Sequence, residues 1–162
     1  MISKLRIGHG YDIHRLRSGD GGKLVIAGVI VSDQLSAIAH SDGDVVYHAI
    51  VDAVLGAMGW GDIGEHFPDT DPQWRGADSV RFVNEVCARI KREHFHVQSL
   101  DVTLLLQQPK IRPFKQQMLE NVQSHFPKAI VNIKAGTNEG LDAIGRGEVI
   151  AAHAVALLAA DA

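Results

Sequence analysis

Two side chains near the N-terminus, Asp12 and His14, have the types and spacing of metal ligands. Side chains two positions apart on a β-strand point to the same side, so this carboxylate and this imidazole would project together. Both groups are zinc ligands. A hydrogen-bonded Asp–His pair at the end of a strand would give the same pattern, so the pair alone does not distinguish the two structures.

A second polar stretch supplies another imidazole. Asp44, His48 and Asp52 recur every fourth residue, so they lie on one stripe of a predicted helix. That stripe fits either a solvent-facing surface or a site in which His48 joins Asp12 and His14. In the second case three protein ligands leave one tetrahedral position open, as in catalytic zinc sites. Asp44 and Asp52 could then orient the ligands through outer hydrogen bonds.

The elements that carry these residues follow from hydrophobic periodicity. Residues 4–14, 24–27, 29–31, 99–107 and 129–135 are predicted strands, and residues 44–58, 79–94 and 113–126 are predicted helices. Ser41 or Asp42 is predicted to cap the first helix, and Asp78 or Ser79 the second. Residues 33–40, 59–76 and 136–148 are predicted loops. The apolar residues 149–160 fit a helix by alanine content or a strand buried on both faces. Strands mixed with amphipathic helices predict an α/β fold, in the form of an α+β sandwich.

Composition narrows the class of protein. The 162 residues are 46% hydrophobic, which suits a single domain, 1–162, with a substantial core. A net charge of −3 argues against nucleic-acid binding, and no apolar run is long enough to span a membrane. The one cysteine, Cys87, cannot form an internal disulfide. It is predicted to be a buried thiol, because it lies at helical spacing from the apolar residues Val83, Val86 and Ile90. Because the N-terminal residues lead directly into a strand pattern, we predict no targeting segment and a cytoplasmic location.

Six short segments follow one another along the chain. They are residues 8–14 (GHGYDIH), 39–45 (AHSDGDV), 61–71 (GDIGEHFPDTD), 101–103 (DVT), 108–110 (QPK) and 145–148 (GRGE). This ordered set resembles the 2-C-methyl-D-erythritol 2,4-cyclodiphosphate synthase family of the non-mevalonate isoprenoid pathway. The resemblance implies a small mixed β-sheet covered by helices, assembled as a homotrimer with active sites between subunits.

The resemblance also implies a reaction. The 2-phosphate of 4-diphosphocytidyl-2-C-methyl-D-erythritol 2-phosphate would attack the β-phosphorus of the same molecule, closing a cyclic diphosphate and releasing CMP. Such a phosphoryl transfer depends on charge neutralisation and alignment more than on a protein nucleophile. Asp12, His14 and His48 would hold a zinc-type ion, and Glu139 a second divalent cation, magnesium or manganese, on the substrate phosphates.

The remaining site residues are likewise implied by the resemblance. His40 and Thr137 would stabilise the transition state, residues 62–71 would hold the methylerythritol unit, and residues 106–112 of a neighbouring subunit would bind cytidine. The substrate-binding set comprises Asp12, Ile13, His14, His40, Ser41, Asp62, Ile63, Gly64, Phe67, Pro68, Asp69, Thr70, Asp71, Leu106, Gln107, Gln108, Pro109, Lys110, Ile111, Arg112, Gly136, Thr137, Asn138, Glu139, Ala143 and Arg146.

Some positions depart from the family pattern. Only Thr137 remains of a run of threonines, Asp142 replaces a usual glycine, and Ala143 stands where bulkier apolar residues are common. In some family members an isoprenoid diphosphate binds in a central cavity, and the resemblance implies that Arg146 would contact its phosphate. The departures put this ligand in question. The alternative role of Arg146 is an ion pair with Glu148. The other histidines have no ligand spacing and are interpreted as structural or surface groups: His9, His66, His94, His96, His125 and His153.

Two other functions fit the same ligand set. A zinc-dependent phosphohydrolase would use the open metal position to activate water and would need a base beside it. A non-catalytic, zinc-stabilised binding module would supply a fourth protein ligand and would lose its fold on chelation.

Overall fold

The structure is a computed structural model that describes residues 4–161. In chain order its elements are β1 (Leu5–Ser18), β2 (Leu24–Ile26), β3 (Val29–Ser32), β4 (Leu35–Ile38), α1 (Val45–Met58), α2 (Ile63–His66), α3 (Val80–Arg92), β5 (Phe95–Leu105), α4 (Lys115–His125), β6 (Ile130–Gly136), α5 (Asp142–Gly145) and β7 (Val149–Ala160). Short 3₁₀ turns cover Pro72–Trp74 and Arg112–Phe114. Residues 1–3, where the absence of a targeting segment is predicted, lie outside the described residues.

A five-stranded mixed sheet is the centre of the fold, as predicted. Its strand order is β4-β1-β7-β5-β6, while β2 and β3 form a separate antiparallel hairpin. All neighbours in the large sheet are antiparallel except β5 and β6, which are parallel and joined through α4. Helices α1, α3 and α4 cover one face of this sheet and bury the main core against it.

The longest helix, α1, lies unusually close to β1 and β7. Gly8 and Gly10 permit this approach, since a Cβ on either residue would lie 1.9 Å from a carbonyl oxygen of α1. On β7, Ala152, Ala154 and Ala156 are fully buried and present only a methyl group to the core. The sheet and the helix therefore pack almost backbone to backbone along this line.

The alanine-rich residues 149–160 form a strand rather than a helix. β7 lies between β1 and β5, so its main-chain groups are hydrogen-bonded to a neighbouring strand on both sides. Intrinsic helix propensity is a weak preference that tertiary context overrides, and here small side chains are what the close contact with α1 requires. The pattern alone had left both structures open.

Other boundaries differ from the predictions. The predicted loop 33–40 contains β4, which pairs with the second half of β1. The predicted loop 59–76 contains α2 and a 3₁₀ turn, and α5 interrupts the loop 136–148. The N-cap of α1 is Asp44, not Ser41 or Asp42, because its carboxylate accepts hydrogen bonds from the Val46 and Tyr47 amides. Ser79 is the N-cap residue of α3 but makes no side-chain cap bond.

The opposite face of the sheet is exposed and largely apolar at its margins. Ile7 and Ile130 are 72% and 76% exposed, and Leu5, Tyr11 and Val155 also reach solvent. Several exposed apolar side chains on one face of a sheet are typical of an interaction surface. Among residues 4–161, no helix combines the length and the apolar character needed to cross a membrane.

Gly10→Ala is expected to lower the free energy of unfolding by about 1–3 kcal/mol or more, because the new Cβ would overlap the Ala49 carbonyl oxygen. Urea unfolding monitored by circular dichroism measures the change. Gly56→Ala in α1, the helix that Gly10 of β1 faces, is the matched control, since its Cβ would meet only the His9 oxygen at 4.0 Å. That control should be neutral or stabilising by up to about 1 kcal/mol. Equal stabilities of the two variants would contradict the close approach.

Candidate metal centre and adjoining cavities

Three side chains predicted as metal ligands meet at one point. β1 presents Asp12 and His14 on one side, and α1 presents His48 opposite them. His14 Nε2 lies 2.9 Å from Asp12 Oδ2, and His48 Nδ1 lies 3.1 Å from the same oxygen. The two imidazole nitrogens are 3.2 Å apart. Ligands at about 2 Å from a tetrahedral zinc ion lie roughly 3.3 Å from one another, so this donor set fits such an ion.

The centre keeps its carboxylate ionised. Burial by itself would raise the pKa of Asp12, but the hydrogen bonds and the electrostatic attraction of His14 and His48 outweigh it and lower the pKa to about 2. An ionised carboxylate and neutral imidazoles are the forms that bind a metal. Within the part of the chain that the structure describes, no fourth His, Cys, Asp or Glu joins the group. One coordination position of a tetrahedral ion would therefore remain for another ligand.

A buried serine orients His48, and sequence reasoning missed it. Ser79 Oγ lies 2.9 Å from His48 Nε2 and also hydrogen-bonds to Asp42, which in addition accepts the Ser79 backbone amide. Because ionised Asp42 can only accept, the Ser79 hydroxyl donates to it and accepts from His48 Nε2–H. This assignment of the tautomer leaves the Nδ1 lone pair directed at the metal position.

The two acidic residues on the His48 stripe do not support the metal ligands. Asp44 is fully buried and accepts the backbone amides of Ala27 and Gly28, which fastens the β2–β3 hairpin to the start of α1. Asp52 accepts the Ile63 amide at 3.1 Å and so holds α2. Both the outer-ligand role and the solvated role are therefore wrong for Asp44, because two of its main-chain partners, Ala27 and Gly28, are remote in sequence.

The metal centre opens into a cavity of about 410 Å³, called here the first cavity. It contains several predicted substrate-binding residues, and an aromatic wall of Phe67, Trp74 and Phe82 closes one side with ring centroids 4.7 to 5.4 Å apart. Trp74 and Phe82 had no signal in the sequence beyond apolar character. The lining comprises His14, Ile38, Ala39, His40, Ser41, His48, Ile63, Gly64, Phe67, Pro68, Asp69, Trp74 and Phe82.

Three predicted neighbours of this cavity are outside its lining. Asp62 caps α2 through the Glu65 amide, and Asp71 caps the following 3₁₀ turn through the Gln73 amide. Thr70 precedes that turn and is exposed. The exposed His40 imidazole lies 3.7 Å from Asp69 at the cavity mouth. Ile13 is 44% exposed, since its side chain alternates with those of Asp12 and His14 and points away from the centre.

Most of the remaining predicted residues line a second, separate cavity of about 340 Å³. Its lining comprises Leu106, Gln107, Gln108, Pro109, Lys110, Ile111, Arg112, Ala135, Gly136 and Thr137. Within one chain, the two residues predicted to be catalytic, His40 and Thr137, therefore line different cavities. The Oε1 atom of Gln107 is buried without a hydrogen-bond partner among residues 4–161.

Four further predicted residues, Asn138, Glu139, Ala143 and Arg146, also lie outside both cavities. Asn138 donates to Asp142, and Glu139 has a left-handed backbone with φ of 54°. Arg146 forms a two-pronged ion pair with Glu148, with Nε 2.7 Å and Nη2 3.2 Å from its oxygens. Ala143 accepts the Glu148 amide through its carbonyl oxygen.

Comparison with known proteins gives one consistent result. Residues 5–159 match the family model described as YgbB family. The chain belongs to the YgbB family. A relative from Trichlorobacter lovleyi, 47% identical over 95% of this chain and 98% of its own length, is named 2-C-methyl-D-erythritol 2,4-cyclodiphosphate synthase. A chloroplastic synthase of that name from Arabidopsis thaliana is 44% identical over 94% of this chain and 66% of its own length. The resemblance of the six motifs is thereby confirmed.

Solved structures of YgbB-type proteins have the same fold. A CDP complex of IspF from Plasmodium falciparum is 30% identical and superposes with a TM-score of 0.85 over 100% of both chains. The bifunctional IspDF of Campylobacter jejuni is 35% identical, with a TM-score of 0.89. The match covers 97% of this chain and 42% of the Campylobacter jejuni chain. The predicted mixed sheet covered by helices is therefore shared with known enzymes of this type.

Ser79→Ala should weaken zinc binding at the centre by about 10–100-fold, because His48 loses the acceptor that fixes its tautomer. Competition with a fluorescent zinc chelator measures the affinity. Ser41→Ala is the control, since Ser41 Oγ lies 3.1 Å from the same nitrogen but accepts the Gly43 amide and bonds to no carboxylate among residues 4–161. Its loss should be clearly smaller. Unchanged affinity of Ser79→Ala would show that the Asp42–Ser79 pair does not position His48.

Proposed function

We propose that this YgbB-family protein converts 4-diphosphocytidyl-2-C-methyl-D-erythritol 2-phosphate into 2-C-methyl-D-erythritol 2,4-cyclodiphosphate and CMP. The observation that carries the proposal is the three-ligand centre of Asp12, His14 and His48, which opens into a cavity already lined by His40 and Ser41. The names of relatives at 47% identity support the same reaction. We also propose that residues 1–162 act as one cyclodiphosphate synthase domain.

Asp12, His14 and His48 are proposed to hold a zinc-type ion. The donor set would also suit manganese, cobalt or iron, so the ion is assigned by class. When bound, such an ion supplies Lewis-acid polarisation of a phosphate oxygen and fixes its direction. The protein fixes the ligands and shields them from water: His48 is buried between Ser79 and the sheet, and Phe82 packs against its ring.

The first cavity is proposed to hold the methylerythritol phosphate. Its aromatic wall of Phe67, Trp74 and Phe82 would exclude water, while Gly64 in α2 would offer its backbone amide to a hydroxyl. Ile63 would contribute its side chain to the wall, since its amide already donates to Asp52. His40, exposed at the mouth, would donate a hydrogen bond to phosphate oxygens as their charge develops. Exclusion of water favours attack by the substrate's own phosphate over hydrolysis.

The second cavity is proposed to bind the cytidine diphosphate part. Lys110 and Arg112 would neutralise phosphate charge, and Thr137 would donate to a phosphate oxygen from the end of β6. The buried, unpartnered Gln107 Oε1 would accept a hydrogen bond from the nucleotide or from a neighbouring chain. The CDP complex of the Plasmodium falciparum relative supports a nucleotide diphosphate as ligand.

A homotrimer would join the two cavities into one site. Each cavity is open and separate within one chain, so a substrate that spans both must bridge two copies. The apolar sheet face around Ile7, Tyr11 and Ile130 is the surface proposed to associate. Burying such a face on self-association is typical of permanent oligomers.

Two further ligands follow from the family pattern. Glu139 is proposed to hold magnesium or manganese together with substrate phosphates, a coordination that needs only one protein carboxylate. Arg146 is proposed to meet an isoprenoid diphosphate near the trimer axis. Because Arg146 is already paired with Glu148, that diphosphate would have to compete with an existing ion pair.

His48→Ala should lower CMP release by at least about 100-fold, because the proposed ion provides several kcal/mol of transition-state stabilisation. CMP and cyclic diphosphate are measured together by mass spectrometry, since a phosphohydrolase would give a linear product. His94→Asn is the control, as His94 lies after α3 with φ of 58°, which asparagine tolerates. Full activity of His48→Ala would rule out the ligand assignment.

Mixing two inactive variants tests the shared site. His48→Ala damages the first cavity, and Gly136→Trp fills the second, where a Cβ meets nothing within 4 Å. After co-refolding in equal amounts, about a quarter of the sites in random cyclic trimers would combine two intact halves. We therefore expect about a quarter of the unmodified activity. No recovery in correctly assembled mixed trimers would place both cavities of one site on the same chain.

A further inference from the structure

A third cavity, called here the distal cavity, lies at the other end of the molecule from the proposed site. Its volume is about 450 Å³, within the range of about 300–1,000 Å³ of small-molecule pockets. It forms where α3 and α4 end and β5 begins, whereas the second cavity follows the end of β5. Its lining comprises Cys87, Ala88, Ile90, Lys91, Phe95, His96, Val97, Ser124, His125, Phe126, Pro127, Lys128 and Asp161.

The rim of the distal cavity is positively charged on a chain whose net charge is −3. Lys91 and Lys128 both line it, and Asp161 is the one carboxylate in the lining. That carboxylate is already engaged, with Lys128 Nζ 3.0 Å and His96 Nδ1 2.8 Å away. Within residues 4–161, Lys91 has no ion-pair partner. An anion entering the cavity would therefore meet uncompensated positive charge.

The floor of the distal cavity is apolar. Ile90, Val97 and Phe126 are 3–4% exposed, and the ring of Phe95 stands at the edge beneath the Arg6 guanidinium, 5.4 Å away. Burial lowers the pKa of His125, so its ring in the wall is a neutral, flat group. Such a surface favours a flat or branched hydrocarbon body over a strongly hydrated one.

Covalent chemistry is not indicated. Burial raises the pKa of the Cys87 thiol to about 12, so the reactive thiolate is scarce at neutral pH. Its Sγ instead contacts the His125 carbonyl oxygen at 3.6 Å. The distal cavity thus offers reversible contacts of two kinds, cationic at the rim and apolar at the floor.

We propose that the distal cavity binds a small organic anion, a carboxylate or phosphate monoester with a flat apolar body. The anionic group lies between Lys91 and Lys128, and the body rests on Ile90, Val97 and Phe126. No residue of this cavity belongs to the metal centre or the first two cavities, so the proposal is independent of the proposed reaction.

The test uses 2-naphthoate and its neutral counterpart, 2-naphthamide, on the full chain. Calorimetry measures affinity, and the NMR signals of the His96 and His125 rings, which line the cavity, report occupancy at the cavity itself. We expect 2-naphthoate to bind at about 1 mM or tighter and to shift these ring signals, with 2-naphthamide at least about tenfold weaker. An arm with 2-naphthyl phosphate decides between carboxylate and phosphate.

Charge variants locate the anion. Reversing both lysines, with Lys91→Glu and Lys128→Glu, should weaken 2-naphthoate by at least about tenfold, while Lys115→Glu at the start of α4, outside the lining, should not change it. If the double variant does not fold, Lys91→Met alone replaces it, since Lys91 makes no ion pair with described residues. Equal binding of acid and amide, unaltered binding after charge reversal, or unchanged His96 and His125 ring signals would each overturn the proposal.

Discussion

The close contact of β1 with α1 is the constraint on which the rest of the structure depends. Only because Gly8 and Gly10 lack side chains can the strand approach the helix until backbone nearly touches backbone. Asp12 and His14, two and four residues after Gly10, then come within 3.2 Å of His48. The three candidate ligands are held rigidly, since neither the strand nor the helix that carries them can shift without breaking the sheet or the core.

The polar groups around this contact are arranged so that each has one role. Asp44 is buried and satisfied by four backbone amides, which hold the β2–β3 hairpin and the first turn of α1 in place. Asp42 acts through Ser79 on one nitrogen of His48, while Asp12 faces the other. A partly buried, ionised Asp12 would be costly without its two imidazole partners, so the three side chains stabilise one another.

Local patterns in the sequence account for what could be predicted. Strand alternation placed Asp12 and His14 together, and helical spacing placed His48 on a polar stripe, because both periods are properties of single elements. Contacts between remote elements were beyond that reasoning: Ser79 reaches His48 across 31 residues, and Asp44 turns to the hairpin backbone instead of to the ligands. Likewise, β4 is too short to signal itself, and β7 became a strand only through its two neighbours.

The central claim is that Asp12, His14 and His48 hold one ion whose remaining position is turned to substrate phosphate. The most direct measurement is anomalous X-ray scattering at the zinc edge from crystals grown with zinc and CDP. The account predicts one peak per chain at about 2.0–2.2 Å from Asp12 Oδ2, His14 Nε2 and His48 Nδ1, with a phosphate oxygen as fourth neighbour. A peak with a fourth protein ligand, or no peak between these three residues, would contradict it.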